Sequence, residues 1–218
     1  MKRYLLILFS GLLIMTVAGQ NNEQKGFLLD HFERGKILYL KDNQATESYF
    51  NYETIIEKML FIAPDSTIYE LARPDIVSHV IIGSRVFEHI SKGMFYERLN
   101  VDNGSFYIRW KSKVISEKEG PYGSSRGTAR IDNITQMSSM GGVYDLKAAE
   151  KVKVDPANIY YLKEKNRFKR FDSFDALAKN FKKDKEEIKT YIKENNLSFK
   201  KADDVKKAVE YCYQLISK

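Results

Sequence analysis

Cysteine is almost absent from this chain. Its 218 residues include one, Cys212, so no internal disulfide can form and the fold must stand on packing alone. Cys212 falls on an apolar helical stripe, which points to a buried small hydrophobe rather than a reactive thiol. Histidine is nearly as scarce: His31, His79 and His89 include no pair at the i, i+4 or short-loop spacing of a zinc site. His79 and His89 can meet only across paired strands, and a hydrogen-bonded sheet histidine is the simpler reading of His79. No glycine-rich loop opens a helix, which removes nucleotide chemistry, and no cofactor is expected. Long hydrophobic runs are missing too. The one extended apolar run, Tyr4 to Val17, has 14 residues, whereas a membrane-spanning helix needs about 20.

That run has another meaning. Lys2 and Arg3 precede it, and the small residues Val17-Ala18-Gly19 follow it, the layout of a secretory signal peptide over residues 1–19. No cysteine follows the run, so a lipoprotein anchor has nothing to attach to. The expected product is exported, periplasmic or secreted, without a mature transmembrane segment. Nucleic acid is not an expected partner in that setting.

With 43% hydrophobic and 30% charged residues the chain is globular in character. Its 14 Tyr and 13 Phe favour β-structure. The formal charge of +7 is unevenly spread. Residues 20–146 hold 15 cations and 17 acids, whereas residues 147–171 hold 8 cations and 3 acids. A basic stretch of this kind attracts acidic polymers or anionic surfaces, although a solvated basic loop accounts for the same composition.

Short strand candidates fill Gly35 to Ile115: Lys36–Lys41, Ala45–Tyr52, Ile56–Ile62, Thr67–Leu71, Ile76–Ile82, Val86–Ile90, Met94–Leu99 and Ser105–Ile115. Turn chemistry separates them at Asp42-Asn43, Pro64-Asp65, Gly83-Ser84 and Asn103-Gly104. No crossover helix intervenes, so the pairing is expected to be antiparallel. In the last strand Phe106, Ile108, Trp110 and Val114 share one face, and Tyr107, Arg109, Lys111 and Lys113 the face toward water. Ile76–Ile82 is apolar on both sides and reads as central. Residues 117–146, rich in Gly and Ser, read as a flexible loop. Ile159–Leu162 and Arg167–Phe171 read as a further hairpin.

From Asp172 the period becomes helical. Phe174, Leu177, Ala178 and Phe181 form a first stripe capped by Asp172 or Ser173. Asp184 and Glu187 form an acidic capping box ahead of Ile188, Tyr191 and Ile192, and Asn195-Asn196 closes that helix. A third helix from about Ala202 buries Val205, Val209, Cys212 and Leu215 or Ile216.

Candidate chemistry is thin. Gly123-Ser124-Ser125-Arg126-Gly127 matches G-x-S-x-G, but all three histidines precede Ser125, the wrong order for that hydrolase fold. Among acids, Glu97 stands out between Tyr96 and Arg98 in an apolar strand, either as half of a glycosidase pair or as the partner of a neighbouring cation. Tyr49, Phe50 and Tyr52 suit sugar stacking if exposed and core packing otherwise.

Phe32-x-x-Gly35, Asn51-Tyr52, Phe95-Tyr96-Glu97, the Gly-Pro-Tyr-Gly-Ser-Ser run at 120–125 and the tail from Glu187 to Asn195 together resemble a group of exported proteins typical of Bacteroidetes-type bacteria. The resemblance implies a Gram-negative envelope setting, a β-rich body and a helical tail, and it carries no activity.

The sequence thus predicts an α+β fold, an antiparallel β-meander built as a sandwich or partly open barrel and followed by a small three-helix element. The expected divisions are a signal peptide at 1–19, a β-domain at 20–116, the loop at 117–146, a basic hairpin extension at 147–171 and helices at 172–218. The expected role is non-catalytic binding in the cell envelope through Lys163, Lys165, Arg167, Lys169 and Arg170. The partner classes are an acidic glycan, an anionic envelope surface or a protein. The alternatives are a carboxylate-based envelope hydrolase and a structural assembly factor.

Overall fold

The computed structural model describes residues 26–41, 45–91, 93–101, 104–119, 125–130, 152–165 and 167–216. The expected signal peptide, the Asp42-Asn43 turn, most of the 120–151 stretch and Gly123 and Ser124 of G-x-S-x-G lie outside the described residues.

The strands are β1 (Glu33–Tyr39), β2 (Ala45–Glu53), β3 (Lys58–Ile62), β4 (Ile68–Glu70), β5 (Val77–Ile82), β6 (Arg85–Ser91), β7 (Met94–Val101) and β8 (Gly104–Arg109). They continue with β9 (Ser112–Glu119), β10 (Ser125–Arg130), β11 (Val152–Pro156), β12 (Ile159–Glu164) and β13 (Arg167–Phe171). Three helices close the chain: α1 (Phe174–Asn180), α2 (Lys185–Glu194) and α3 (Ala202–Ile216).

Ten strands form one antiparallel sheet in the order β13-β12-β8-β7-β6-β5-β1-β2-β3-β4. Neighbours in the chain are mostly neighbours in the sheet, as hairpin chemistry demands. Gly83 supplies the positive φ of the β5–β6 turn (55°). The exception is the return from edge strand β4 to β5, which pairs with β1 on the side away from β2. The fold is thus α+β, a meander that is not closed, followed by helices. β5 lies inside the sheet, with neighbours on both sides, as its two-sided apolar sequence predicts.

One face of this sheet carries the apolar core, and two devices cover it. At the β8–β12–β13 end the helices fold back onto it. There Phe106, Ile108, Tyr160, Leu162 and Phe171 meet Leu177, Ile188, Val205, Val209 and Cys212. At the other end the sheet curls, enclosing Ile37, Phe50, Tyr52, Val80, Phe87 and Phe95. Trp110 packs against both clusters.

The curl is fastened at the β2–β3 turn. Thr54 Oγ1 donates to the Gly26 carbonyl (2.7 Å) and lies 2.8 Å from Ser112 Oγ, while the Ser112 amide donates to the Thr54 carbonyl (2.9 Å). Asn51, fully buried, holds the segment ahead of β1: its Oδ1 accepts from the Leu29 amide and its Nδ2 donates to the Leu29 carbonyl.

Two expectations change. Ser105–Ile115 is not one strand: β8 ends at Arg109, and β9 belongs to a three-stranded sheet of order β10-β9-β11. The break is at Trp110, whose indole turns into the core, and at Lys111. The Lys111 amide donates to Asn158 Oδ1 and its carbonyl accepts from Ala157, so both groups leave the ladder. Within 117–146, residues 117–119 and 125–130 are strand rather than loop. Gly favours loops through its backbone freedom and Ser through its polarity, yet the backbone pairing of β9 with β10 does not need apolar side chains.

At the helices Ser173 is the N-cap of α1, its Oγ accepting from the Ala176 amide (3.1 Å). The Asp184–Glu187 capping box does not form. Asp184 is the N-cap residue but makes no side-chain cap bond, and Glu187 accepts instead from the Tyr211 hydroxyl (2.9 Å) on α3. Asn196 adopts the left-handed conformation (φ 49°) past the end of α2. Among the described residues no helix is long and apolar enough to cross a membrane.

Candidate functional site

The second face of the sheet is where polar and aromatic side chains collect. Alternation along each strand carries Tyr107 and Arg109 away from the core that Phe106 and Ile108 enter. The register then aligns Arg98 of β7, Tyr107 of β8, Tyr161 of β12 and Arg170 of β13 as successive cross-strand partners. Two aromatic side chains are therefore flanked by two guanidinium groups in one row. Lys163 and its partner Phe168 stand beside that row on β12 and β13. Glu88 of β6 flanks it on the opposite side, paired with His79 of β5 and with Tyr96 of β7.

Contacts join these groups. The Tyr107 hydroxyl donates to Glu88 Oε2 (2.8 Å), and Lys163 Nζ donates to the Tyr107 oxygen (3.3 Å). Arg98 Nη1 is 3.6 Å and Lys163 Nζ 3.5 Å from the Glu88 carboxylate, so two cations share one acid. Lys163 Nζ also stands 5.4 Å and 5.5 Å from the ring centroids of Tyr107 and Phe168. Phe168 meets Tyr107 edge-on at 4.9 Å, and Tyr96 stacks on Tyr161 at 5.3 Å.

Tyr107 was expected to face water, yet it is 1% exposed. It leaves the apolar core for this aromatic cluster, a departure that alternation alone does not reveal. Burial, reinforced by the Glu88 acceptor, pushes its phenol well above the ordinary value. Burial also lowers His79, helped by the Arg98 charge. Two polar atoms here are buried without a partner: Arg98 Nε and His79 Nε2. His79 Nδ1 lies 2.7 Å from Ser78 Oγ.

At one end of the face, Glu57 of the β2–β3 turn receives Arg109 Nε and Nη2 and Lys111 Nζ. Burial alone would raise its carboxyl, but the hydrogen bonds and charges of Arg109 and Lys111 outweigh that and hold it below the usual range.

The five cations singled out from the sequence do not share one surface. Lys163 and Arg170 lie on the aromatic face. Arg167 and Lys169 alternate to the face of Phe171, and Lys165 sits in the turn with φ 55°. Lys163 is the half-buried member, engaged as above. Lys169 reaches Glu164 at 3.5 Å. Lys165, Arg167 and Arg170 are exposed and, among the described residues, carry no ion pair. The hairpin pairs with β8 through β12, which makes β13 an edge of the main sheet.

Glu97 points inward. It is 5% exposed and accepts from Arg85 Nε (2.8 Å) and Nη2 (2.6 Å) and from Trp110 Nε1 (2.6 Å). The carboxylate thus serves a cross-strand ion pair. His79 and His89 occupy opposite faces, because His79 pairs with Glu88, the residue before His89. Among the described residues no group of His, Cys, Asp or Glu is arranged to hold a metal ion.

Sequence reasoning found Lys163 and Arg170 but not Arg98, Tyr107, Tyr161, Glu88 or Phe168. Each looks ordinary in its own strand, and only the register of β6, β7, β8, β12 and β13 assembles them. No protein-family model, curated protein or solved structure matches this chain.

Proposed function

We propose that the protein is an exported, non-catalytic binding protein of the bacterial cell envelope that engages an anionic partner through its β12–β13 edge. The observation that carries this reading is the state of the cations there. Lys165, Arg167 and Arg170 are exposed on an edge hairpin without an ion pair among the described residues, so their charge faces outward uncompensated there. Surface charges of this kind act through long-range attraction that salt screens over about 10 Å at 0.1 M ionic strength. Export rests on the signal-peptide layout of residues 1–19.

The test is to replace Lys165, Arg167, Lys169 and Arg170 together with Ser and to measure retention in the envelope fraction at low salt. Retention is expected to fall several-fold, and added salt should release the unmodified protein in the same way. Unchanged retention of the variant overturns the reading.

A further inference from the structure

The outward face of the sheet offers a more specific partner than charge alone. We propose that Arg98, Tyr161 and Arg170, aligned across the strands on either side of the enclosed Tyr107 and with Lys163 and Phe168 beside them, bind an acidic polysaccharide, a chain of carboxylate-bearing sugars laid across the strands. This assignment rests on the envelope-binding reading and names the class of partner within it.

The geometry supports it in three ways. Successive members of the row sit on adjacent strands, about 4.8 Å apart, so the two arginines bracket a span of about 14 Å. That span suits a short run of linked rings rather than one small anion. The chemistry alternates correctly for such a ligand. Half-buried Tyr161 and Phe168 supply apolar ring surface for the C–H faces of sugars, and Tyr161 adds a polar tip. Guanidinium groups at both ends fit carboxylates through their paired donors.

The local charge is also unbalanced in the required sense. Arg98 and Lys163 share the single carboxylate of Glu88, and among the described residues Arg170 has no ion pair. The Arg98 side chain is 33% exposed, so its guanidinium meets solvent while its buried Nε has no partner among the described residues. His79 Nε2, beside Glu88, is likewise unpartnered. Sugar hydroxyls both donate and accept, so they suit a face with this mixture of groups. An anionic lipid surface would use the cations but not the ring surface that half-buried Tyr161 and Phe168 offer between them.

Affinity electrophoresis of the purified protein in gels containing polygalacturonate, dextran or no polymer tests the assignment, with circular dichroism to confirm that each variant is folded. Polygalacturonate should retard the unmodified protein and dextran should not. Arg98→Gln and Tyr161→Ala should each weaken the retardation at least tenfold. Arg170→Gln, at an exposed site where folding is not at risk, should weaken it several-fold. Lys206→Ser, an equal loss of charge on α3, should leave it unchanged.

Absence of retardation by polygalacturonate overturns the proposal, as does equal retardation by dextran or full retention of affinity in folded Arg170→Gln and Arg98→Gln. Tighter binding to phosphatidylglycerol vesicles, insensitive to Tyr161→Ala, overturns it in favour of a lipid surface. If the hairpin serine variant loses envelope retention while polygalacturonate has no effect, the glycan assignment fails and the binding reading survives. The reverse pattern, polymer binding sensitive to Arg98→Gln with retention intact, removes the envelope reading and keeps the site.

Discussion

The Glu57 carboxylate and the Arg109 guanidinium are joined by two hydrogen bonds across 52 residues of chain. Glu57 ends the β2–β3 turn in the left-handed region (φ 59°), a conformation that an ordinary side chain adopts only against strain. Its reach to β8 fastens the curled half of the sheet over the aromatic core. Glu57→Ala should therefore lower stability by roughly 3 kcal/mol, since it leaves Arg109 and Lys111 without their acid in a partly buried site.

The pH dependence has a definite sign. The Glu57 carboxyl is held below its ordinary value, so its stabilisation is complete above the unfolded carboxylate range of about 4.3 and is lost as pH falls through the lower folded value. Burial raises Glu53, which adds a slope of the opposite sign in a higher window. The difference between the unmodified protein and Glu57→Gln isolates the Glu57 contribution. Urea midpoints measured from pH 3 to 7 should show that difference largest at neutrality and shrinking at the acid end.

A Cβ at residue 104 would stand 2.3 Å from two ring carbons of Tyr213. Glycine at the start of β8 is therefore what allows α3 to lie close on the sheet. Gly104→Ala must push the ring aside, at a cost of about 1–3 kcal/mol. Thermal unfolding should register the loss, and Tyr213→Leu in the same chain should recover part of it. Two losses that simply add would show that the ring and the glycine are energetically independent.

Much of this architecture could be read from the chain because its signals are local. Gly83, the alternation of Phe106 and Ile108 and the Ser173 cap each act within a few residues, and the meander with its helical tail follows from them. Long-range competition decided the rest. Trp110 keeps the core-facing place that alternation gives it, but the Lys111 amide and carbonyl pair with Asn158 Oδ1 and the Ala157 amide rather than with a strand, and β8 ends early. Glu187 sits at capping-box spacing, but the Tyr211 hydroxyl on α3 takes its carboxylate. The candidate binding face was hidden for the same reason: Arg98, Tyr107, Tyr161 and Arg170 come from four strands. Tyr161 and Arg170 fall in the basic stretch at 147–171, but only Arg170 carries the charge that composition reveals.

Cys212 is fully buried among Val205, Val209 and neighbouring apolar groups, and burial pushes its thiol up to about 12. The nucleophile is the thiolate, so both access and ionisation protect it in the folded state. Reaction with a thiol reagent at pH 8 should be slower by orders of magnitude for native than for urea-unfolded protein. Fast native reaction would place Cys212 at the surface and break the α3 packing described above.

The Arg85–Glu97 pair is a second partly buried charge interaction, on the core face of the sheet. Glu97 is enclosed, held by two guanidinium hydrogen bonds and one from the Trp110 indole, and Arg85 itself lies 5.1 Å from the Trp110 ring centroid. Removing one partner should be far worse than removing both, because a lone carboxylate beside Phe87 and Ile108 loses water without gaining a counter-charge. Arg85→Met alone should cost about 3–5 kcal/mol, while Arg85→Met with Glu97→Leu should recover most of that. Trp110 is the sole tryptophan of the chain, so its fluorescence reports on this pair directly. Urea titrations followed at its emission should place the double variant between the single variant and the unmodified protein. A double variant no more stable than Arg85→Met would mean that packing around Trp110, rather than the unpaired charge, sets the cost.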